Sequence, residues 1–498
     1  MKLNDFTNGI NTLVDPSLLG TTFAVVSENV DVAAGPLMPV KAPTLAQAIA
    51  GKYIAWYDTK DEWVASTTVR DYLEYQGVMY WTQPGEAQQY NGTVTTKLGI
   101  TAPANQPIVA VSGTGGQDGV YQYMYSYYND LTGIESSVSP LSVEISLTGV
   151  GASVSYLAST DPQVTHIRIY RIGGTWTDFL LLTTVANVNG TYIDAAADED
   201  LQGALVGTSL NNPPPTDLRF ITEQFGMFFG AVGTKLYYGR GDGYPQYWPA
   251  INYFELFEPI TSIAAITDGV LIFTKTSTTL LTGRDALSFM LYPLDKTKGC
   301  INHAATVSLG NTALVVGTNG IYAASMSGVK ALSQPILGDQ QLSTVNAVVL
   351  NEVYYLQLAN GKILCYDFRF GKNAFYYLDF DTEYLATDYT YLYGVVGTNL
   401  VKLFSNGLTN YSYKTGVLTE GEYSTVKSYN KFYVRSNGDL TLKIYIDGVL
   451  VLTKVLSGNE LHEVTPPQYQ RKGYGMELEF TGTGVVYEVI TTPTPREL

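Results

Sequence analysis

A short apolar strand, a tight turn and a second apolar strand recur five times in the second half of the chain. No other feature constrains the fold as much. "GMFFGAVGTKLYYG" turns at Gly233, "DGVLIFTKTSTTLLTG" near Thr276 and "NTALVVGTNGIYAAS" at Gly317. "NEVYYLQLANGKILCYD" turns at Asn360 and "YTYLYGVVGTNLVKLFS" at Gly397, so the spacings are 43, 41, 43 and 37 residues. A period near 40 with two or more strands per unit is the signature of a β-propeller or a related β-array. The turn residues suit it: Asn360-Gly361 is a type I′ signal, and Gly233, Gly317 and Gly397 tolerate positive φ. Each unit continues into further strands, as in "KALSQPI" and "NAFYYLDF", which is about what a four-stranded blade needs.

The chain has 498 residues, 39 of them tyrosine and 48 glycine. That excess, with many short Val, Thr and Ile runs, favours strands and tight turns. One stretch, "TLAQAIAGKYIAW" from Thr44 to Trp56, is expected to hold a short helix before becoming a strand. "MKLNDFTNGINTLV" lacks the apolar core of a secretory signal, and no run is long enough for a membrane span. The two cysteines, Cys300 and Cys365, are too far apart for a metal motif and are expected as buried, reduced thiols of a chain made in a cytoplasm. Net charge is −16, with 20 acids and 8 bases in residues 1–215 against 25 and 21 in residues 216–498. There is no basic stripe for gripping phosphates. The acidic surplus suits a solvated surface, or a wall that DNA passes without sticking.

Five regions are expected. Residues 1–50 form an N-terminal arm or platform. Residues 51–102 hold strands, including "YIAWYDTKDEWVAS" and "VMYWTQPG", and suit one more propeller blade. Residues 103–212 open at Pro103 and Pro107 and close at Pro213-Pro214-Pro215. Within them "VYQYMYSYYND" places Tyr121, Tyr123, Tyr125 and Tyr127 on one face. "HIRIYRI" places Ile167 and Ile169 on one face, with Arg168 and Tyr170 on the other. About seven strands in this span match an inserted fibronectin- or Ig-like sandwich. Residues 213–420 carry the propeller repeats. Residues 421–498 form a small β-sandwich: "DLTLKIYIDGVLVL" turns at Asp447-Gly448 with Leu440, Leu442, Ile444 and Ile446 inward, and Met476, Leu478 and Phe480 face them. A lone hairpin is marginal, so this sheet is expected to pack on the N-terminal arm. The fold class is all-β: a β-propeller body with the inserted sandwich and a terminal sandwich or platform.

Chemistry is sparse. His166, His303 and His462 lie in different regions without metal-type spacing. No catalytic elbow, P-loop, zinc or calcium pattern occurs. "GTGGQDG", Gly113 to Gly119, precedes a strand rather than a helix and reads as a loop between strands. Propellers can be glycosidases that pair two acids across a cleft, so two acidic clusters matter. One is Asp194, Asp198, Glu199 and Asp200. The other is Asp379, Asp381 and Glu383, with Asp388 nearby. The simpler reading of both is solvated loops or interfaces. No catalytic, metal or cofactor-binding residue is assigned, no cofactor is implied, and the chain is not expected to be an enzyme.

Several phrases in order resemble one family. "GINTLVDPSLLGTTFAVVSENVDVAAGPLMPVKAPT" carries Asp15-Pro16-Ser17-Leu18-Leu19, Asn29-Val30 and Gly35-Pro36-Leu37-Met38-Pro39. "YSYYNDLTGIESSVSP", "IRIYRIGGTWTDFLLLTTV" and "TYIDAAADEDLQGAL" follow. After them come "NPPPTDLRFITEQFGMFFGAVGTKLYYGRGDGYPQYWP" and the closing "YIDGVLVLTKV" with "GMELEFTGTGVVYEV". Together they are similar to the tail nozzle, or tail hub, of short-tailed bacteriophages, over nearly the whole chain. The departure is that five equivalent blades are visible rather than six, the sixth having to come from residues 51–95.

The resemblance implies a virion structural protein: a homohexameric ring with a central channel, set under the portal and its adaptor ring. Such a ring conducts viral DNA outward without sequence-specific binding and meets a fibre, spike or plug. It resides in the virion tail, is synthesised in the host cytoplasm and has no stable membrane insertion. Asp194, Asp198, Glu199, Asp200, Asp379, Asp381 and Glu383 are then candidates for an acidic lumen or interface, with the acidic N-terminal half expected to line most of the channel. The alternative is a propeller-based carbohydrate-binding protein or glycan hydrolase. A third reading, a host-type adhesion protein with a fibronectin module, fits poorly with the lack of disulfide-type cysteines.

Overall fold

A computed structural model describes residues 1–33, 35–201, 210–241, 243–371, 373–420 and 423–495. Residues 202–209, which close the inserted region and end the phrase "DEDLQGAL", lie outside the described residues, as does Asp242. The protein is all-β. Its described residues form forty-one strands and one four-residue α-helix, Gln334–Leu337. The chain divides into two compact units. One comprises residues 1–68, 264–283 and 289–498, and the other residues 69–263 and 284–288.

The second unit holds two four-stranded antiparallel sheets and a longer one. Asp71–Tyr75, Val78–Gln83, Glu86–Tyr90 and Thr95–Lys97 form one; Arg219–Gln224, Met227–Val232, Lys235–Tyr238 and Tyr253–Glu255 form another. They pack face to face through Tyr80, Leu98, Leu218, Ile221, Phe228 and Trp248. Between them in sequence, five strands make one hydrogen-bonded sheet, in the order Trp176–Ala186, His166–Gly173, Ile108–Tyr128, Ile145–Tyr156, Gly190–Asp194. The strand count is five rather than about seven, and Ile108–Tyr128 runs as a single 21-residue strand. "GTGGQDG" is therefore not a loop but the bulged middle of that strand, where the register shifts between Ser112 and Gln117. Glycine is required there. A Cβ on Gly151 would sit 2.0 Å from the Thr114 carbonyl oxygen, and one on Gly115 would sit 2.6 Å from the Gly151 Cα. Tyr121, Tyr123, Tyr125 and Tyr127 are all buried on one face with Ile167 and Ile169.

In the first unit, each repeated hairpin is the central pair of a four-stranded antiparallel meander. The strand Ile260–Ile266 opens a sheet continued by Gly269–Thr274, Thr278–Thr282 and Met290–Asp295. Val307–Ser308, Thr312–Gly317, Gly320–Ser325 and Gly328–Ala331 form the next. Thr344–Leu350, Val353–Leu358, Lys362–Asp367 and Ala374–Asp379 then begin a nine-stranded sheet. Each sheet buries a face on its neighbour: Phe273 and Leu280 meet Val315 and Tyr322, and Leu314 and Ile321 meet Tyr354 and Leu364. Cys300 and Cys365 are buried in these layers and are not joined in a disulfide.

The last repeat is completed from the far end of the chain. Lys41–Ala48 pairs with Asn399–Leu408, outside Leu392–Val396 and Tyr384–Thr387. The short helix expected at the start of Thr44 to Trp56 does not form, its residues belonging to strand Lys41–Ala48, whereas the strand expected after it is Tyr53–Tyr57, which pairs with Glu62–Ser66. Lys41–Ala48 is largely exposed and has no apolar face to bury as a helix, whereas pairing satisfies its backbone. The boundary between the units falls at Thr68. It splits residues 51–102 into the hairpin, which packs on Tyr384 and Val395, and the four-stranded sheet of the second unit.

The remaining strands bind the two ends of the chain together. Ala24–Glu28 lies between Ala374–Asp379 and Tyr411–Thr415, and Met476–Gly482, Leu440–Ile446 and Val449–Leu456 extend the nine-stranded sheet. A second sheet joins Lys2–Leu3, Val485–Pro495, Lys427–Asn437 and Asn459–Val464. Leu440, Leu442, Ile444, Ile446, Met476, Leu478 and Phe480 are buried in the core shared with Leu3, Phe6, Val30 and Leu37.

Candidate functional site

The 194–200 cluster is built at the end of strand Gly190–Asp194 and the turn that follows it. Asp194 is completely buried. Its carboxylate accepts from Arg171 Nη1 at 3.0 and 2.8 Å, from the Tyr123 hydroxyl at 2.8 Å and from the Ala196 amide at 3.1 Å. Arg171 also donates to the Ala196 carbonyl at 2.9 Å and to Asp198 Oδ1 at 3.0 Å. Asp198 Oδ2 accepts from the Thr175 amide at 2.8 Å and the Tyr121 hydroxyl at 3.3 Å. Burial and the Asp194 carboxylate push the Tyr123 hydroxyl far above the usual tyrosine range, so it stays a donor. Asp194 thus cannot line a lumen, because its charge is spent inside the sheet on Arg171. Asp198 is largely committed to the same network. Only Glu199 and Asp200 of this cluster are exposed.

Arg171 was the residue the sequence hid. Its signal lies in the alternation of "HIRIYRI": Ile167, Ile169 and Arg171 are in phase, so an arginine occupies a position that should face the core. A buried guanidinium demands carboxylates, and it finds two. A second network lies on the opposite face. Glu135 accepts from Ser126 Oγ at 2.5 Å, from the Tyr170 hydroxyl and from Arg168 Nη1 at 2.6 Å. The Arg168 guanidinium sits 3.5 Å over the Tyr128 ring. The Glu135 amide donates to the Tyr247 hydroxyl at 3.0 Å, so a residue of the Pro245–Pro249 phrase anchors the five-stranded sheet.

The 379–388 cluster lies at strand ends. Asp379 is half-exposed, 3.8 Å from Lys362 Nζ, which also pairs with Glu28. Glu28 leads the causes that raise the Lys362 ammonium above its ordinary value. Glu383 accepts from the Gly397 amide at 3.0 Å and caps the last repeated turn. Asp388 accepts from the Thr390 and Tyr391 amides at 2.9 and 2.6 Å and from the Tyr393 hydroxyl at 2.9 Å. Burial, then the Asp388 bond, pushes Tyr393 up to about 12. Asp381 is exposed in a left-handed conformation, φ 51°. Asp379, Asp381 and Glu383 are surface acids that neutralise a lysine or close turns. Nothing in their bonding poises one as a proton donor to a glycosidic bond. No group of three or more metal-type ligands occurs among the described residues.

Several residues of the quoted N-terminal and mid-chain phrases sit at joints between strands. Asn29 has φ 57°; its side chain donates to the Asn410 carbonyl at 3.0 Å and accepts from the Asp379 amide at 2.8 Å. The Pro16 carbonyl accepts from Val417, and Leu37 exchanges backbone bonds with Val486. In the second unit, Trp248 donates its backbone amide to the Asn212 carbonyl and its indole N–H to Pro245.

No protein-family model matches the sequence, and neither does any curated protein. Among solved structures, the chain is similar to the computationally designed Ika8 protein at 10% identity and TM-score 0.30, covering 72% of this chain and 98% of that one. It is similar to Raptor of Chaetomium thermophilum at 10% identity and TM-score 0.31, covering 75% of this chain and 29% of that one. BamB from Moraxella catarrhalis aligns at 11% identity and TM-score 0.28, covering 73% and 99%. At these scores the likenesses carry no argument about this chain.

Proposed function

We propose that this chain is a structural virion protein of a short-tailed bacteriophage, a tail nozzle or hub whose copies form a ring around the DNA-ejection conduit. The observation that carries the reading is the family-like phrases running in order through nearly the whole chain. Their roles in the fold support it. Asn29, Pro16, Leu37 and Tyr247 tie strands and sheets together, as the joints of a rigid wall must. Layered antiparallel sheets supply rigidity, and the net charge of −16 keeps a DNA backbone from adhering to the wall. With Asp194 and Asp198 committed internally, the acids left for a lumen or subunit interface are Glu199, Asp200, Asp379, Asp381 and Glu383. The body is read as a β-propeller whose blades are the four-stranded meanders. The ring is read as a homohexamer that meets the portal adaptor on one side and a fibre, spike or plug on the other.

The test is immunogold electron microscopy of particles from a phage that encodes this chain, with antibody raised against it. Gold at the distal tail is the expected result. Particles without gold, with the protein soluble in the lysate, would overturn the assignment and favour the glycan-binding or hydrolase alternative.

A further inference from the structure

We propose that the five-stranded sheet of the second unit carries a binding site for a neutral pyranose sugar, at the end where strand Ile108–Tyr128 begins and Ile145–Tyr156 ends. A cavity of about 370 Å³ opens there, lined by Asn105, Gln106, Ile108, Ser155, Tyr156 and Leu157. This volume falls within the range of small-molecule pockets. Ile108 is 73% exposed and Leu157 47%, two large apolar side chains with no cover of their own. Tyr156 is buried, its ring packed beside Tyr125, and forms a fixed floor. Asn105 and Gln106 are exposed, and neither carboxamide has a hydrogen-bond partner among the described residues. Each offers a donor and an acceptor side by side.

No lining side chain is charged, which disfavours phosphates, carboxylates and amines. Paired amides matched to adjacent hydroxyls, over an apolar patch matched to ring C–H groups, describe a neutral sugar. A purely apolar ligand would leave both amides without partners. The site does not rest on the conduit reading, and none of its lining residues is among the acids assigned there to the lumen or interface.

The test is saturation-transfer NMR with the full-length protein, neutral hexoses and neutral hexose oligomers. Transfer to ring C–H protons is expected, with dissociation constants of about 1 mM or tighter. Ile108→Asp should weaken binding at least tenfold, and Asn105→Ala with Gln106→Ala should do the same. All three positions are exposed, and circular dichroism checks that the variants fold. Binding of monosaccharides as tight as that of oligomers assigns a free sugar, whereas binding of oligomers alone assigns a surface polysaccharide; either outcome supports the site. No transfer from any sugar, or binding unchanged in both variants, overturns it. A particle labelled by the antibody but blind to sugars would overturn this inference alone.

Discussion

Removing the Asp194 carboxylate should loosen the five-stranded sheet far more than removing any surface acid. Asp194→Ala deletes the acceptor of two Arg171 contacts at 2.8 and 3.0 Å, of the Tyr123 hydroxyl and of the Ala196 amide. Arg171, 1% exposed, would then keep only Asp198 as an ionic partner. Breaking a buried ion pair from one side costs about 3–5 kcal/mol. The surviving Asp198 contact places this variant near the lower end, about 3 kcal/mol. The double variant Arg171→Met, Asp194→Leu removes both charges and should recover at least about 2 kcal/mol relative to the sum of the single changes. Adding Tyr123→Phe removes the orphaned hydroxyl and should recover more. Because the chain has two compact units, one global midpoint mixes their unfolding. The fitting assay is native-state hydrogen exchange read on peptides spanning 117–128 and 166–173. A loss of protection under about 1 kcal/mol in Asp194→Ala, or strict additivity in the double variant, would refute the claim that this pair holds the sheet.

Three further outcomes follow from the same geometry. Asn29→Ala loses two side-chain hydrogen bonds and forces alanine to a φ of 57°, so it should cost about 3 kcal/mol, read as lost exchange protection in 374–379 and 411–415. At Asp295, burial pushes the carboxyl up, but bonds from Lys298 and Thr297 outweigh it and hold it at about 2. A folded pKa below the unfolded value stabilises above the unfolded value near 4 and is lost as pH falls through about 2. The stability read from exchange protection of 278–282 and 290–295 should drop between pH 4 and pH 2, and Asp295→Asn should flatten that drop at a cost below about 1 kcal/mol at pH 7. A fragment of residues 103–212 should unfold at lower urea than one of residues 98–250, because the sheet's core also uses Ile100 and Tyr247. Equal midpoints would show that the Glu135 amide bond to Tyr247 contributes nothing.

Local pattern alone determined a good deal of this protein. The five repeated hairpins form, four of them turning where their residues place the turn; at Gly317 the glycine ends its strand without positive φ and pairs with Gly320, so the turn falls on Thr318-Asn319. The alternation of tyrosines at 121–127 and of apolar residues at 440–446 named the buried faces correctly. These are short-range properties: a strand's two faces follow from its period of two, and a tight turn follows from its own residues. Only the tertiary structure decided the partners. The stretch from Thr44 suggests a short helix, yet Lys41–Ala48 is a strand that pairs some 350 residues away with Asn399–Leu408. The glycines at 113–119 look like a loop, but serve two strands in close contact. Asp194 reads as a surface acid until Arg171, on another strand, draws it into the core. The reason is common to all three. Ladder partners, close approaches and buried ion pairs are set by residues distant in sequence, whose cost or gain appears only once the sheets have come together.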